Sequence, residues 1–183
     1  ADFIDEFRQI LEPQLAESRA TLSIDNQAPG TSLCGNRDAL LSAFHNLANN
    51  ALESTDAGLM LEIAMSYIDE GRVEFSFRDN GSGIPEDIRD RVLEPFFTTR
   101  TSGTGLGLAV VNATVSGFNG TLDIQSETDA GTVIYIRLPT MDRDMMLSSD
   151  ISTNDSQAQE FTGHAEQRNE KFSEVQQEKE VSI

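Results

Sequence analysis

The sequence is short of lysine, of cysteine and of long apolar runs. Its first 140 residues contain no lysine at all, and Lys171 and Lys179 both lie in the last 43. In the whole chain of 183 residues, 13 bases stand against 31 acids, a formal net charge of -18. A chain this acidic does not hold a nucleic-acid backbone by bulk charge, because each phosphate contact there draws on a cation. Cys34 is the single cysteine, which excludes an intrachain disulfide framework and a four-cysteine zinc site. The two histidines, His45 and His164, occur in unrelated contexts. No apolar stretch approaches the ~20 residues that cross a bilayer, and the start shows no signal-peptide pattern. A cytoplasmic protein with no nucleic-acid partner and no membrane contact is the expectation.

What is present divides the chain in two. Residues 1–140 hold 21 acids and 9 bases, and residues 141–183 hold 10 and 4. The second part is expected to be an acidic, disordered tail. Its stretch 148–159 is rich in Ser, Asp, Asn and Gln, with only Ile151 and Ala158 apolar, too little burial to offset the entropy of ordering. A polar docking helix over 165–181, with Phe172 and Val175 as a thin apolar stripe, is the alternative.

Residues 1–140 read as one domain of alternating helices and strands. Phe3, Phe7, Ile10, Leu11 and Leu15 recur at helical spacing, and Pro13 is expected to interrupt or restart that helix. A short strand follows at 21–25. Residues 38–54 form a long helix with Leu40, Leu41, Phe44, Leu47, Ala48, Ala51 and Leu52 on its apolar side. Leu61, Ile63, Met65 and Tyr67 alternate with smaller or polar residues, as do Val73, Phe75 and Phe77, so two strands join through a hairpin turn at Asp69-Glu70-Gly71. After a glycine-dense stretch comes a helix from Leu108 to about Phe118. Strands at 120–126 and 132–138 close the domain.

Four patches carry chemistry. In "HNLANNALES", residues 45–54, Asn46 and Asn50 share one helix face. Asn is a poor helix former, and its amide oxygen is a hard neutral ligand suited to Mg²⁺. On this patch alone, solvated or locally hydrogen-bonded Asn46, Asn49 and Asn50 are the simpler reading. In "RDNGSGIP", residues 78–85, Asp79 ends a strand, and Gly81 and Gly83 let backbone approach a flat ligand. The ionised Asp79 carboxylate accepts hydrogen bonds only, as from an exocyclic amine. The alternative is a hairpin turn, weakened because a helix pattern follows instead of a strand. "EPFFTTR" spans residues 94–100. In "GTGLGLAVV", residues 103–111, Gly103, Gly105 and Gly107 precede a helix start, whose N–H groups and dipole favour phosphate. This is neither a dinucleotide fingerprint, since no strand leads into it, nor a Walker loop, since no Gly-Lys-Ser/Thr occurs.

In order and spacing, the four patches together resemble the ATP-binding catalytic domain of sensor histidine kinases, in the wider family shared with gyrase B, Hsp90 and MutL. Residues 46–51 resemble its asparagine box, Asp79-x-Gly81-x-Gly83 its first glycine box, residues 95–100 its phenylalanine box and residues 103–108 its second glycine box. Gly117, Gly120, Ser126, Gly131-Thr132 and Leu138-Pro139 also fit. The resemblance covers about residues 3–139 and is nearest to the nitrogen-regulation and flagellar-regulation kinases. It implies an α/β fold: a two-layer, Bergerat-type sandwich, with a mixed, mainly antiparallel sheet of about five strands, helices on one face and an ATP lid.

By that resemblance Asp79 would bind the adenine amino group, with Thr132 supporting it through water. Gly81, Gly83 and Ile84 would shape the base pocket, and Asn50 would coordinate Mg²⁺ between the phosphates. Gly103, Thr104, Gly105, Leu106, Gly107 and Leu108 would wrap the phosphates. Residues from about 86 to 104 would be the lid, with Phe96 and Phe97 anchoring it on the core and Phe97, Thr98 and Thr99 beside the nucleotide. Arg100 would be the cation near the γ-phosphate, unless it is a surface arginine capping the lid. Hydrolysing relatives carry Glu at the position of Asn46, as a base for water. An amide cannot take that proton, which favours transfer to a protein nucleophile. The expected acceptor is a histidine on a dimerisation hairpin that this chain lacks, and the onward partner is a response-regulator receiver domain. His45 is expected to be structural, and His164 lacks an acceptor's context. An anti-sigma-factor-like serine kinase and a non-catalytic ATP-binding module are the alternatives.

Overall fold

The computed structural model describes residues 3–55, 58–101, 103–141 and 180–182. Helix α1 (Phe3–Ser18) is followed by β1 (Thr21–Asn26), β2 (Ser32–Cys34), α2 (Arg37–Leu52), β3 (Met60–Asp69) and β4 (Arg72–Asp79). Then come the one-turn helix α3 (Glu86–Arg89), α4 (Gly107–Gly117), β5 (Thr121–Glu127), β6 (Gly131–Pro139) and β7 (Glu180–Ser182).

Five strands form one mixed sheet in the order β1-β3-β4-β6-β5. Only β1 and β3 run parallel, and the other pairings are antiparallel. Period-two alternation decides which face is covered. Leu61, Ile63, Met65, Val73, Phe75, Phe77, Ile134, Ile136 and Leu138 are buried, and their neighbours along the strands are less so. The helices pack on that face through Phe3, Phe7, Leu11, Leu40, Phe44, Leu47, Ala48, Val111 and Val115. On the other face charges pair across strands: Arg137 with Glu74 at 2.7 Å and, more loosely, Arg78 with Glu62 at 3.9 Å. This is the two-layer sandwich that the sequence implies.

Phe44 lies at the centre of the core. Its ring meets those of Phe3, Phe7, Phe75 and Phe77 edge-on, with centroids 4.8–5.7 Å apart. Edge-to-face packing lets the positive rim of one ring meet the negative face of another. It fixes α1 and α2 against β4 through one side chain. Asn36 sets the start of α2, its side chain accepting from the Ala39 N–H at 2.9 Å.

Three expectations need correction. Pro13 neither interrupts nor restarts α1, which is continuous. Pro13 lies on the exposed side, where water can take the freed carbonyl, while Phe3, Phe7 and Leu11 hold the other side in the core. Strand β2 was not expected from the sequence, and neither was its antiparallel partner β7. The helix considered for 165–181 does not extend through its last two positions, because Glu180 and Val181 are extended and paired with Cys34 and Leu33. The rest of that helix, and the disorder expected of the tail, lie outside the described residues.

Phe44→Ala should remove the shared ring contacts and leave a cavity. It is expected to cost about 3–5 kcal/mol of unfolding free energy, read from the urea midpoint at unchanged slope.

Candidate functional site

The last turn of α2 organises the site. Leu47, Ala48 and Ala51 anchor the helix in the core, and Asn46 and Asn50, one turn apart, line a cavity of about 610 Å³. That size lies within the range of small-molecule sites. The Asn50 Nδ2 is buried and has no hydrogen-bond partner among the described residues. A buried amide left so is costly unless a ligand completes it. A Cβ at Gly107 would stand 3.6 Å from Asn50 Oδ1, so the start of α4 lies directly against this amide. No side chain caps the α4 N-terminus. Its first-turn N–H groups are thus open to an anion, with the helix dipole in support.

Four residues further along the chain, α2's end meets the β4 terminus. The Ser54 carbonyl accepts from the Ser82 N–H at 3.1 Å, and a Cβ at Gly81 would collide with the Ser54 hydroxyl. Asp79 is the last residue of β4, in register with Leu61 and Thr132. Its Oδ1 accepts from the N–H groups of Gly81 at 2.8 Å and Thr132 at 3.3 Å. Burial raises the Asp79 carboxyl above the ordinary carboxylate value, and these two amide bonds oppose the rise. Both bonds fall on Oδ1, which leaves Oδ2 as an acceptor on a residue that lines the cavity.

Ser126 was not singled out as a site residue by its sequence, yet it joins this end of the site. Its Oγ accepts from the Ile84 N–H at 2.8 Å and donates to the Gly131 carbonyl at 2.9 Å. The Ser126 hydroxyl has one proton, so in the 2.8 Å contact between the two hydroxyls Thr132 is the donor. Gly83 is left-handed at φ +71°, and a Cβ there would strike the Glu127 carbonyl. Only glycine fits that approach.

The structure brings most of the sequence-derived residues together. Asn46, Asn50, Asp79, Gly83, Ile84, Phe97, Thr98, Thr99, Arg100, Gly103, Thr104, Gly105, Leu106, Gly107, Leu108 and Thr132 all line the one cavity. Gly81 does not line it and acts through its N–H on Asp79. Phe96 is a correction. It was expected to anchor the lid on the core, but its side chain is 75% exposed. Its backbone is left-handed at φ +68°, which turns it outward while its N–H bonds the Gly105 carbonyl at 2.9 Å. Phe97 faces inward instead, with the Arg91 guanidinium 4.4 Å from its ring centroid. His45 of α2 lies against α1: one ring nitrogen is 3.4 Å from Gln14 Nε2 and the other 3.2 Å from Asn49 Nδ2 of its own helix, and a neutral ring accepts from only one of these two amide donors. That is the structural role expected of it.

One more contact crosses the cavity mouth. Arg100 Nη1 donates to Glu53 Oε2 at 2.5 Å, and Nη2 donates to the Asn50 carbonyl at 3.3 Å. Glu53 also lines the cavity and was not singled out in the sequence.

Comparison with known proteins gives the family and the fold. The family model described as "Histidine kinase-, DNA gyrase B-, and HSP90-like ATPase" matches residues 35–142. The chain belongs to this family. Among curated relatives, it is 32% identical over 136 residues to sporulation kinase A of Bacillus subtilis, covering 74% of this chain and 22% of that protein. It is 35% identical over 126 residues to the sensory histidine kinase/phosphatase NtrB of Azospirillum brasilense, covering 61% of this chain and 31% of that protein. Among solved structures, the mycobacterial sensor histidine kinase MprB superposes with a TM-score of 0.67 at 28% identity, covering 76% of this chain and 95% of that one. The chain thus spans between a fifth and a third of those two curated relatives. The asparagine and second glycine patches of this ATPase-family domain fall within the matched span. Among the described residues no helix is long and apolar enough to cross a membrane.

The raised pKa of Asp79 has a sign that can be tested. Folding holds its proton more tightly than the unfolded chain does, so the ionised group destabilises the fold above its folded pKa. That penalty shrinks as pH falls through the folded pKa and vanishes below the ordinary value of 3.8. Asp79→Asn, whose Oδ1 can keep both backbone bonds, should therefore match or exceed the parent in Tm at pH 7. Its advantage should narrow on acidification, in melts followed by circular dichroism.

Proposed function

We propose that this chain binds Mg²⁺-ATP in the cavity between α2, α4 and the β4 terminus, as the catalytic part of a sensor histidine kinase. The observation that carries the reading is the pairing of two features around one turn of α2. An acceptor-rich end at Asp79, Thr132 and Ser126 suits an adenine amine, and a buried, unpartnered Asn50 amide lies beneath the open N-terminus of α4. The family match and the kinase relatives support the same reading.

In this reading Asp79 Oδ2 accepts a hydrogen bond from the adenine N6 amine, and Gly83 and Ile84 shape the base pocket. Thr132 holds the adenine end through Ser126 and a bridging water. The α4 N-terminus and the 103–108 backbone take the phosphates. No group of three acidic, histidine or cysteine side chains that could cage a metal occurs among the described residues. The donor set therefore suits a metal shared with the phosphates, and Asn50 would hold Mg²⁺ through its amide oxygen. When bound, that ion neutralises phosphate charge. Asn46 sits where a base for water would act, and its amide cannot take a proton. The γ-phosphoryl would leave the β–γ bridging oxygen and bond to a histidine nitrogen on a dimerisation hairpin, with ADP departing. Residues 86–104 serve as the lid that excludes water, Arg100 as the cation for the γ-phosphate. The phosphorylated histidine would then supply a response-regulator receiver domain. Use of ATP and of such a partner places the site in the cytoplasm, with residues 1–140 as the catalytic domain and 141–183 as an appendage to it.

Asp79→Asn turns Nδ2 toward the adenine amine, a donor against a donor. ATP affinity by calorimetry should fall about 10- to 100-fold, the loss of one buried partner, and chelating Mg²⁺ should weaken the parent as well. Unchanged affinity in the variant would remove the adenine assignment. Asn46→Glu should gain slow ATP hydrolysis, followed by phosphate release. Mixed with a histidine hairpin from a related kinase and labelled ATP, the chain should give acid-labile phosphate on the hairpin and none on itself.

A further inference from the structure

Among the described residues, Arg100 is the one basic side chain lining a cavity that is read as a site for a highly charged anion. The guanidinium is already engaged. Its Nη1 is ion-paired with Glu53 at 2.5 Å, and its Nη2 fills the Asn50 carbonyl at 3.3 Å. That carbonyl belongs to the last turn of α2, where carbonyls have no onward helical partner. Both anchors are thus on the helix end that carries the Asn50 amide, and the arginine reaches them from a segment about 50 residues away in sequence. As the C-cap residue of α2, Glu53 caps through its backbone N–H, which leaves its carboxylate to Arg100 among the described residues.

We infer that Glu53 is a specificity-determining residue: it competes with the nucleotide's terminal phosphate for Arg100, and so sets how strongly the site prefers a triphosphate to a diphosphate. This rests on the reading of the cavity as an ATP site. A guanidinium has five donors in a fixed fork. A γ-phosphate must displace Glu53 from part of that fork or share it, so the competition acts only through Arg100. A diphosphate, lacking the terminal group, leaves the pair in place. The pair is part-exposed, with side-chain accessibilities of 37% for Arg100 and 61% for Glu53, so water and salt screen it. The effect is therefore modest and specific, not a lock.

The test is a double-mutant cycle on the full 183-residue chain, with Mg²⁺-ATP and Mg²⁺-ADP affinities measured by calorimetry and folding checked by circular dichroism. Glu53→Gln keeps the length and an acceptor oxygen and removes the charge. In the parent background it should tighten ATP about two- to fivefold, the scale of a part-exposed ion pair, and leave ADP nearly unchanged. In an Arg100→Ala background the same substitution should change neither. An equal gain with Arg100 absent would show a general charge effect and overturn the proposal, as would an equal gain for ADP or no gain at all. A parent chain that fails to bind Mg²⁺-ATP would instead remove the nucleotide reading beneath it, an outcome separable from the cycle.

Discussion

The site depends on one demand placed on α2, which must be a core helix and a ligand-facing helix at once. Phe44 meets four aromatic rings of α1 and β4, and that packing fixes the rotation of α2 about its axis. Once the rotation is set, helical geometry places Asn46 and Asn50 in the cavity. A helix with poor formers on one face is tolerable because tertiary burial of the other face holds it. The cost of the buried Asn50 amide is carried by the same packing. Site and core are therefore not separable layers here, because one helix supplies both.

A second dependence runs through strand register. Asp79 stands beside Thr132 because β4 and β6 pair antiparallel, and Ser126 stands beside Thr132 because β5 and β6 do. A slip of one residue in either pairing would turn the Asp79 or Ser126 side chain to the opposite face. The left-handed glycines, Gly83 against the Glu127 carbonyl and Gly105 against the Phe96 backbone, keep loops close enough to these strand ends to close the cavity.

Much of this is legible in the sequence, for local reasons. The alternation of Leu61, Ile63 and Met65, and of Val73, Phe75 and Phe77, carries the sheet and its covered face. The asparagine spacing on α2 and the glycines before α4 carry the site, since each patch is read within one turn or one loop. What stays hidden is non-local or conformational. Strand β2 has three residues, too few for a period to show, and it exists through its pairing with β7. The contact of Glu53 with Arg100 spans 47 residues, and Ser126 acts through a hydroxyl partner set by register. Phe96 and Phe97 are chemically alike, and only the left-handed backbone at Phe96 decides which of them turns inward. Pro13 shows the reverse case, a strong local signal overruled by the packing of its own helix.

The way the arginines are used bears on the rate at which a ligand arrives. Six of the nine arginines in residues 1–140 are paired with carboxylates, at positions 37, 72, 78, 91, 100 and 137. Little positive field therefore extends into solvent from a domain that is already strongly negative. An anionic ligand is not drawn in from a distance, and its encounter is governed by diffusion against a repulsion that salt relieves. Selectivity at this site accordingly belongs to dissociation: what distinguishes one ligand from another is how long it stays, not how fast it comes.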